Sequence, residues 1–225
     1  MTFSIAGHCE RTNMTGVAIT TSSICVASRC PWVRAGVGAV ATQNVTDPSL
    51  GPKLLDLMGS GLRADEAIQT LTRGLEFADY RQLTAVDTHG GVAHFTGEHI
   101  LGNNDVATGH HCVAAGNLLA NTDVPYAMVD YFEANADMHL AERLLRALKA
   151  GVDIGGEEGP THSSGLKVAH QNSWPLVDLR IDWSDDDPVA QLFEIWLAYE
   201  PQMNDYTTRA LNPAAAPSYG VPGDL

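Results

Sequence analysis

Met1-Thr2-Phe3-Ser4-Ile5-Ala6, answered at residues 15–21 by Thr-Gly-Val-Ala-Ile-Thr-Thr, is the stretch that decides the fold class. Phe3, Ile5, Val17 and Ile19 are aromatic or β-branched and favour extended backbone, so the chain opens with strands, turned at Thr15-Gly16. Val33 to Thr42 reads as a further strand, Gly-rich in its first half, where Gly36 and Gly38 allow another backbone or a ligand to approach closely. An antiparallel opening of some forty residues with almost no helix excludes the strand-helix alternation of a doubly wound sheet.

The period then changes to 3.6. Asp47 is a candidate N-cap with Pro48 at the first helical position, and Leu50, Leu54, Leu57 and Met58 share one stripe, stopped by Gly59 and Gly61. A second helix carries Ala64, Ala67, Ile68, Leu71 and Leu75. Strands return at Gln82 to Val86 and Val92 to Thr96 around the turn Asp87-Thr88-His89-Gly90-Gly91, and again from His111 to Ala115, ending at Gly116-Asn117. Another helix pair covers 123–135 and 137–150, with Val124, Met128 and Phe132 on one stripe and Leu140, Leu144 and Leu148 on the other. Gly165 to His170 and Leu176 to Trp183 alternate as strands, and Pro188 to Tyr199 is a helix.

Strands then two helices, twice over, then strands and a helix predict an α+β chain. The expected architecture is an αββα four-layer sandwich, two antiparallel sheets face to face with the helix pairs 48–75 and 123–150 on the outer faces. No linker composition divides it, so one domain spans 1–200. Residues 201–225, with Pro201, Pro213, Pro217 and Pro222, form a Pro-rich C-terminal arm.

Charge narrows the partners. Thirteen Lys+Arg against 27 Asp+Glu give a net charge of -14, which excludes an electropositive nucleic-acid or anionic-membrane surface. No apolar run reaches the ~20 residues of a membrane span, and no basic and apolar leader opens the chain, so a cytoplasmic location is expected. Cys9, Cys25, Cys30 and Cys112 include no C-x-x-C pair and read as reduced thiols. Neither a phosphate-binding loop nor a dinucleotide fingerprint nor a G-x-S-x-G elbow occurs, and no cofactor is expected.

Thr2 is the candidate nucleophile. Its neighbour Met1 is removable by an aminopeptidase, which would leave a free α-amine beside the hydroxyl, with a pKa of about 8 that suits a general base. The alternative is the first β-branched residue of a strand. Thr2 is expected to face a cleft lined by Thr21, Ser22, Arg34, Gln43 and Asn117. Asn117 at a strand end either donates to a developing oxyanion or serves as a turn residue. His89, His94, His99, His110 and His111 crowd near Asp87, Glu98 and Asp105, yet without an H-E-x-x-H helix they read as solvated loop histidines, and no metal is expected. Asp185-Asp186-Asp187 before Pro188 reads as the negative start of a helix.

Several segments together resemble the DUF1028 family over roughly residues 1–195: Met1 to Ile5, Arg34-Ala35-Gly36-Val37-Gly38-Ala39-Val40-Ala41-Thr42-Gln43, Phe95-Thr96-Gly97, Gly116-Asn117-Leu118-Leu119, Ala141 to Leu148, Gly155-Gly156-Glu157 and Val177-Asp178-Leu179-Arg180. The chain departs from that pattern at Thr21, Ala27 and the acidic stretch Gly155 to Pro160. The resemblance implies an N-terminal-nucleophile (Ntn) hydrolase-like fold; with Thr2 at its start the expected activity is hydrolysis of C–N amide bonds, and the acidic surface and the lack of an export signal leave a small intracellular amide as the expected substrate. In that reading Thr2 attacks, its amine is the base, Thr21 and Asn117 assist, and Arg34 is either the basic residue that proteasome-like threonine hydrolases carry at a similar spacing or a surface arginine at a strand start. Ser22 and Gln43 would bind substrate. The alternative is a non-catalytic scaffold of the same fold that binds a small molecule or serves assembly. The arm, with Met203, Tyr206, Leu211 and Tyr219, is expected to be ordered by a second copy, giving a homodimer or higher oligomer.

Overall fold

The computed structural model describes residues 1–220. Among the described residues ten strands form two antiparallel sheets. The first strands are β1 (Thr2–Cys9), β2 (Met14–Thr21), β3 (Pro31–Arg34) and β4 (Gly38–Asn44), then β5 (Arg81–Asp87), β6 (Val92–Thr96), β7 (Asp105–Gly109) and β8 (Cys112–Asn117); β9 (Ser163–Ala169) and β10 (Val177–Ile181) complete them. One sheet runs β10-β9-β2-β1-β8-β7 and the other β3-β4-β5-β6. They stack face to face, with β1 and β2 over β4 and β5 over β8.

The helices are α1 (Leu50–Gly59), α2 (Ala64–Thr72), α3 (Val124–Ala134), α4 (Leu140–Asp153) and α5 (Pro188–Leu211). α1 and α2 cover the four-stranded sheet through Leu50, Leu54, Met58 and Ile68. α3, α4 and α5 cover the six-stranded sheet through Met128, Phe132, Leu144, Leu148, Leu192 and Trp196. The expected α+β sandwich of four layers is therefore the observed one. Asp187 Oδ1 accepts from Val189 N (2.9 Å) and Ala190 N (3.0 Å), so the acidic run does cap a helix. Among the described residues no helix is long and apolar enough to cross a membrane.

Several elements differ from expectation. The first hairpin turns at residues 10–13, and Gly16 lies within β2, where the Leu144 side chain packs so close that an added Cβ would stand 2.7 Å from it. The run Val33 to Thr42 is a hairpin, because Gly36 at φ 69° reverses the chain between β3 and β4. β7 carries no strong sequence signal. α1 starts at Leu50, with Asp47 Oδ1 accepting from Ser49 N (2.9 Å). α5 runs through Pro201 to Leu211, because Trp196 and Met203, on either side of the proline, are both buried in the α3-α4-α5 core. Met203 of the expected arm is thus packed within its own chain; residues 221–225 of that arm lie outside the described residues.

Gly51 gives a test of the helix-sheet contact. An added Cβ would stand 2.1 Å from Trp32 Cδ1, and the indole is held by its Nε1–H donating to Arg29 O (3.1 Å). Gly51→Ala gains about 1 kcal/mol of helix propensity but must displace the indole, at about 1–3 kcal/mol. Urea denaturation is expected to show a net loss. A variant as stable as wild type would mean that α1 backs away from Trp32 freely.

Candidate functional site

Side chains of even number in β1, and of odd number in β2 and β4, point between the sheets. In the middle of that layer they are small and apolar: Ala6, Val17, Ala39, Ala41, Val86 and Val113. At one end they are polar and buried: Thr2, Ser4, Thr21, Gln43, Gln82 and Asn117. Buried polar groups persist only when paired, and these form a ladder. Ser4 Oγ donates to Gln43 Oε1 (2.8 Å) and Gln43 Nε2 to Gln82 Oε1 (2.8 Å). Asn117 Nδ2 donates to the same Gln82 oxygen (3.1 Å), while Gln82 Nε2 donates to Gly116 O (3.1 Å). Side chains from β1, β4, β5 and β8 are thereby locked together under the N-terminus. Asn117 Oδ1 remains buried without a hydrogen-bond partner among the described residues.

Thr2 stands above this ladder. In register it lies between Thr21 on β2 and Asn117 on β8, in the interior of the six-stranded sheet. Its hydroxyl oxygen is 3.1 Å from that of Thr21. Both hydroxyls are turned to one acceptor, the Met1 carbonyl oxygen: Thr2 Oγ1 donates at 2.5 Å, and Thr21 Oγ1 donates to it as well. The pair borders a cavity of about 210 Å³ whose walls include Met1, Ser23, Arg29, Gln43 and Asn44. Two hydroxyl donors that converge on one carbonyl oxygen are an arrangement that can polarise a carbonyl.

Thr2, Thr21, Gln43 and Asn117 are brought together as the sequence predicts. Asn117 is not turned to the Met1 carbonyl, since its amide hydrogen goes to Gln82; Thr21 provides the donor there. Ser22 is close by, its backbone N–H donating to Glu157 Oε2 (3.3 Å). Arg34 is not part of the group. The turn at Gly36 leaves it at the far end of β3, opposite Gly38, where it pairs with Asp56 (2.8 Å) and donates to Leu55 O (3.2 Å) on α1. The cation in the cavity wall is Arg29, fixed by donating to Ile24 O and Cys25 O (2.6 and 2.9 Å).

Glu157 is the residue that the sequence reading missed as a site group. It pairs in a single β-bridge with Leu119, and Ala120 N donates to Gly156 O (3.0 Å), so the loop is drawn beneath the start of β1. The Glu157 side chain is buried, and Oε1 has no hydrogen-bond partner among the described residues. Burial pushes its carboxyl up to about 8, against the attraction of the N-terminal ammonium and the hydrogen bonds from Ser22. A buried carboxyl in a loop that reads as acidic and exposed carries a signal only once the bridge to Leu119 is known.

The opposite end of the sandwich gathers histidines that sequence keeps apart. His8 Nδ1 lies 3.3 Å from His111 Nδ1, and the rings of His110 and His111 stack at 4.0 Å. Ligand atoms of Glu10, His110 and His111 lie within 4.8 Å of one another, beside a cavity of about 470 Å³. Two hairpin tips, 10–13 and 110–111, make this cluster. His99 is elsewhere, stacked on Tyr80 at 4.9 Å.

A family model described as a family of unknown function (DUF1028) matches residues 2–192. Protein SPO2555 from Silicibacter pomeroyi, of crystal structure known and assigned to the same family, is 30% identical, with 91% of this chain and 89% of that one covered at a TM-score of 0.84. More distant likenesses are Anbu, an ancestral beta-subunit, from Yersinia bercovieri (10% identity, 91% and 97% coverage, TM-score 0.36) and a Gly-1 mutant of Anbu from Hyphomicrobium sp. strain MC1 (13%, 90% and 96%, 0.41). Likenesses that loose say nothing about chemistry. A search of the curated proteins finds no match.

Proposed function

The chain belongs to the DUF1028 family, and from the geometry at Thr2 we propose that it is an Ntn-hydrolase-like amidohydrolase of a small molecule, with Thr2 as nucleophile once Met1 is removed. The observation that carries this reading is the pair of hydroxyls, 3.1 Å apart, that share one carbonyl oxygen beside a cavity.

The reaction follows from those groups. The free α-amine of Thr2 takes the proton of Oγ1, and Oγ1 bonds to the carbonyl carbon of the substrate amide. The carbonyl oxygen becomes an oxyanion that accepts from Thr21 Oγ1. The C–N bond then breaks, and the proton held by the α-amine passes to the departing nitrogen. An ester on Thr2 remains. Water gives its hydroxyl to the acyl carbon and a proton back to Oγ1, so one water enters and one acid and one amine leave. Gln43, Gln82 and Asn117 hold β1 in place beneath the reacting atoms, and Arg29 lends positive potential at the cavity wall.

The test has two parts. Intact mass of the protein from its native cell is expected to lack one methionine residue. A chain beginning at Thr2 is expected to hydrolyse members of a panel of small amides that the Met1-retaining chain leaves untouched. Retention of Met1 in the cell, or a Thr2-first chain inert on the whole panel, would leave the non-catalytic scaffold as the standing reading.

A further inference from the structure

Met1 sits in its own site as a residue sits in a binding pocket. Its carbonyl oxygen accepts from Thr2 Oγ1 and Thr21 Oγ1. Its thioether lies over Gly159, where an added Cβ would stand 3.4 Å from Cε and 3.8 Å from Sδ. Gly159 belongs to the wall of a second cavity, of about 350 Å³, whose lining also includes Phe3, Val152, Glu157 and Thr161. Met1 therefore stands between the Thr2 cavity and this one.

Glu157 is the polar feature of that wall. It is 94% buried by its 6% exposure, one oxygen accepts from Ser22 N, and the other has no partner. A buried carboxyl oxygen without a partner is costly, and an ammonium brought against it, with release of the carboxyl's proton, relieves it. The rim adds Asp185, Asp186 and Asp187, and among the described residues no Lys or Arg lines the cavity. An anionic ligand is repelled here and a cationic one attracted. The α-ammonium of Met1 is the cation whose field reaches Glu157.

We infer that the acyl side of this site takes an α-aminoacyl group with a free ammonium, held by Glu157, its carbonyl at Thr2 and Thr21 and an uncharged side chain over Gly159. Met1 marks the places of the carbonyl and the side chain, its own ammonium acting on Glu157 through its field without touching it, so the contact to Glu157 is the one a free ligand would add. The inference rests on the hydrolase reading of Thr2 and narrows it to amides of unblocked amino acids, which includes the first residue of a small peptide.

The experiment uses the full chain beginning at Thr2 and separates binding from turnover. Calorimetry on the Thr2→Ala chain is expected to show methioninamide binding at least ~10-fold more tightly than N-acetylmethioninamide, the difference a charge-assisted contact makes. Equal affinity for the two, or no binding of either, overturns the inference without any appeal to turnover. In the active chain, methionine p-nitroanilide is expected to be cleaved at least ~10-fold faster than its N-acetyl form at low substrate. Glu157→Gln is expected to raise KM for the unblocked substrate with kcat little changed and to abolish the preference. Cleavage of the acetylated compound at an equal or greater rate overturns the α-amino preference while leaving the hydrolase standing. Tight, ammonium-dependent binding with no cleavage of either compound supports the subsite and counts against the hydrolase.

Discussion

Thr2→Ala, made in the chain that begins at residue 2, is expected to lower kcat by a factor on the order of 10⁴ or more, the usual consequence of deleting a nucleophile. The fold has little reason to change. Thr2 is 7% exposed and held between β2 and β8 by backbone pairing, and Ala keeps both ladders while losing one hydroxyl and one methyl. Thr2→Ser keeps the attacking oxygen and is expected to retain measurable turnover. Thr21→Val removes the donor at the carbonyl oxygen and is expected to cost roughly 10²–10³ in kcat, the range seen for a single oxyanion donor. A Thr2→Ala chain that turns over at the wild-type rate would remove Thr2 from the chemistry.

The second large effect is on stability and belongs to Glu157. In the unfolded chain its carboxyl titrates near ~4.3; in the fold, burial pushes it up to about 8. Between those values the folded protein holds a proton that the unfolded chain has released, so stability is highest at the acid end of the window and falls as pH rises through it. The loss levels off above pH 8, at about 5 kcal/mol for this single group. His111 and His139, held below their ordinary values chiefly by burial, act in the opposite direction as pH rises toward neutrality. The quantity to measure is therefore the difference between wild type and Glu157→Gln. Denaturant unfolding at pH 5 and pH 8.5 is expected to show wild type losing several kcal/mol more than the variant. Parallel losses in the two proteins would mean that Glu157 stays ionised throughout.

The sandwich was legible because its signals are local. Leu140, Leu144 and Leu148 recur at helical spacing and bury against the six-stranded sheet, and the order of strand and helix segments admits few layerings. Thr2, Thr21 and Asn117 were legible because strand ends meet at one edge of a sandwich. Gln82 was not. A glutamine opening a strand looks like a surface residue, and that its amide joins β4 to β8 depends on partners 35 and 39 residues away. Arg34 was drawn to the site by counting along the chain, a measure that the reversal at Gly36 makes useless. Glu157 was hidden by its glycine neighbours, which mark an exposed loop in the absence of the bridge to Leu119.

The position of β1 inside the six-stranded sheet also sets a schedule. Its hairpin with β2 closes early, but its other edge waits for Cys112–Asn117, and β2 waits for Ser163–Ala169. At about 5–20 residues per second of synthesis, the ribosome needs roughly ten to thirty seconds to deliver that last strand. Until then the hydroxyl of Thr21 and the Gly159 loop are not both in place against Met1. An aminopeptidase working at the tunnel exit has that interval, and little afterwards, in which to reach it. Slower elongation over the first 170 codons should therefore raise the trimmed fraction, and faster elongation should leave more chains folded with Met1 still attached.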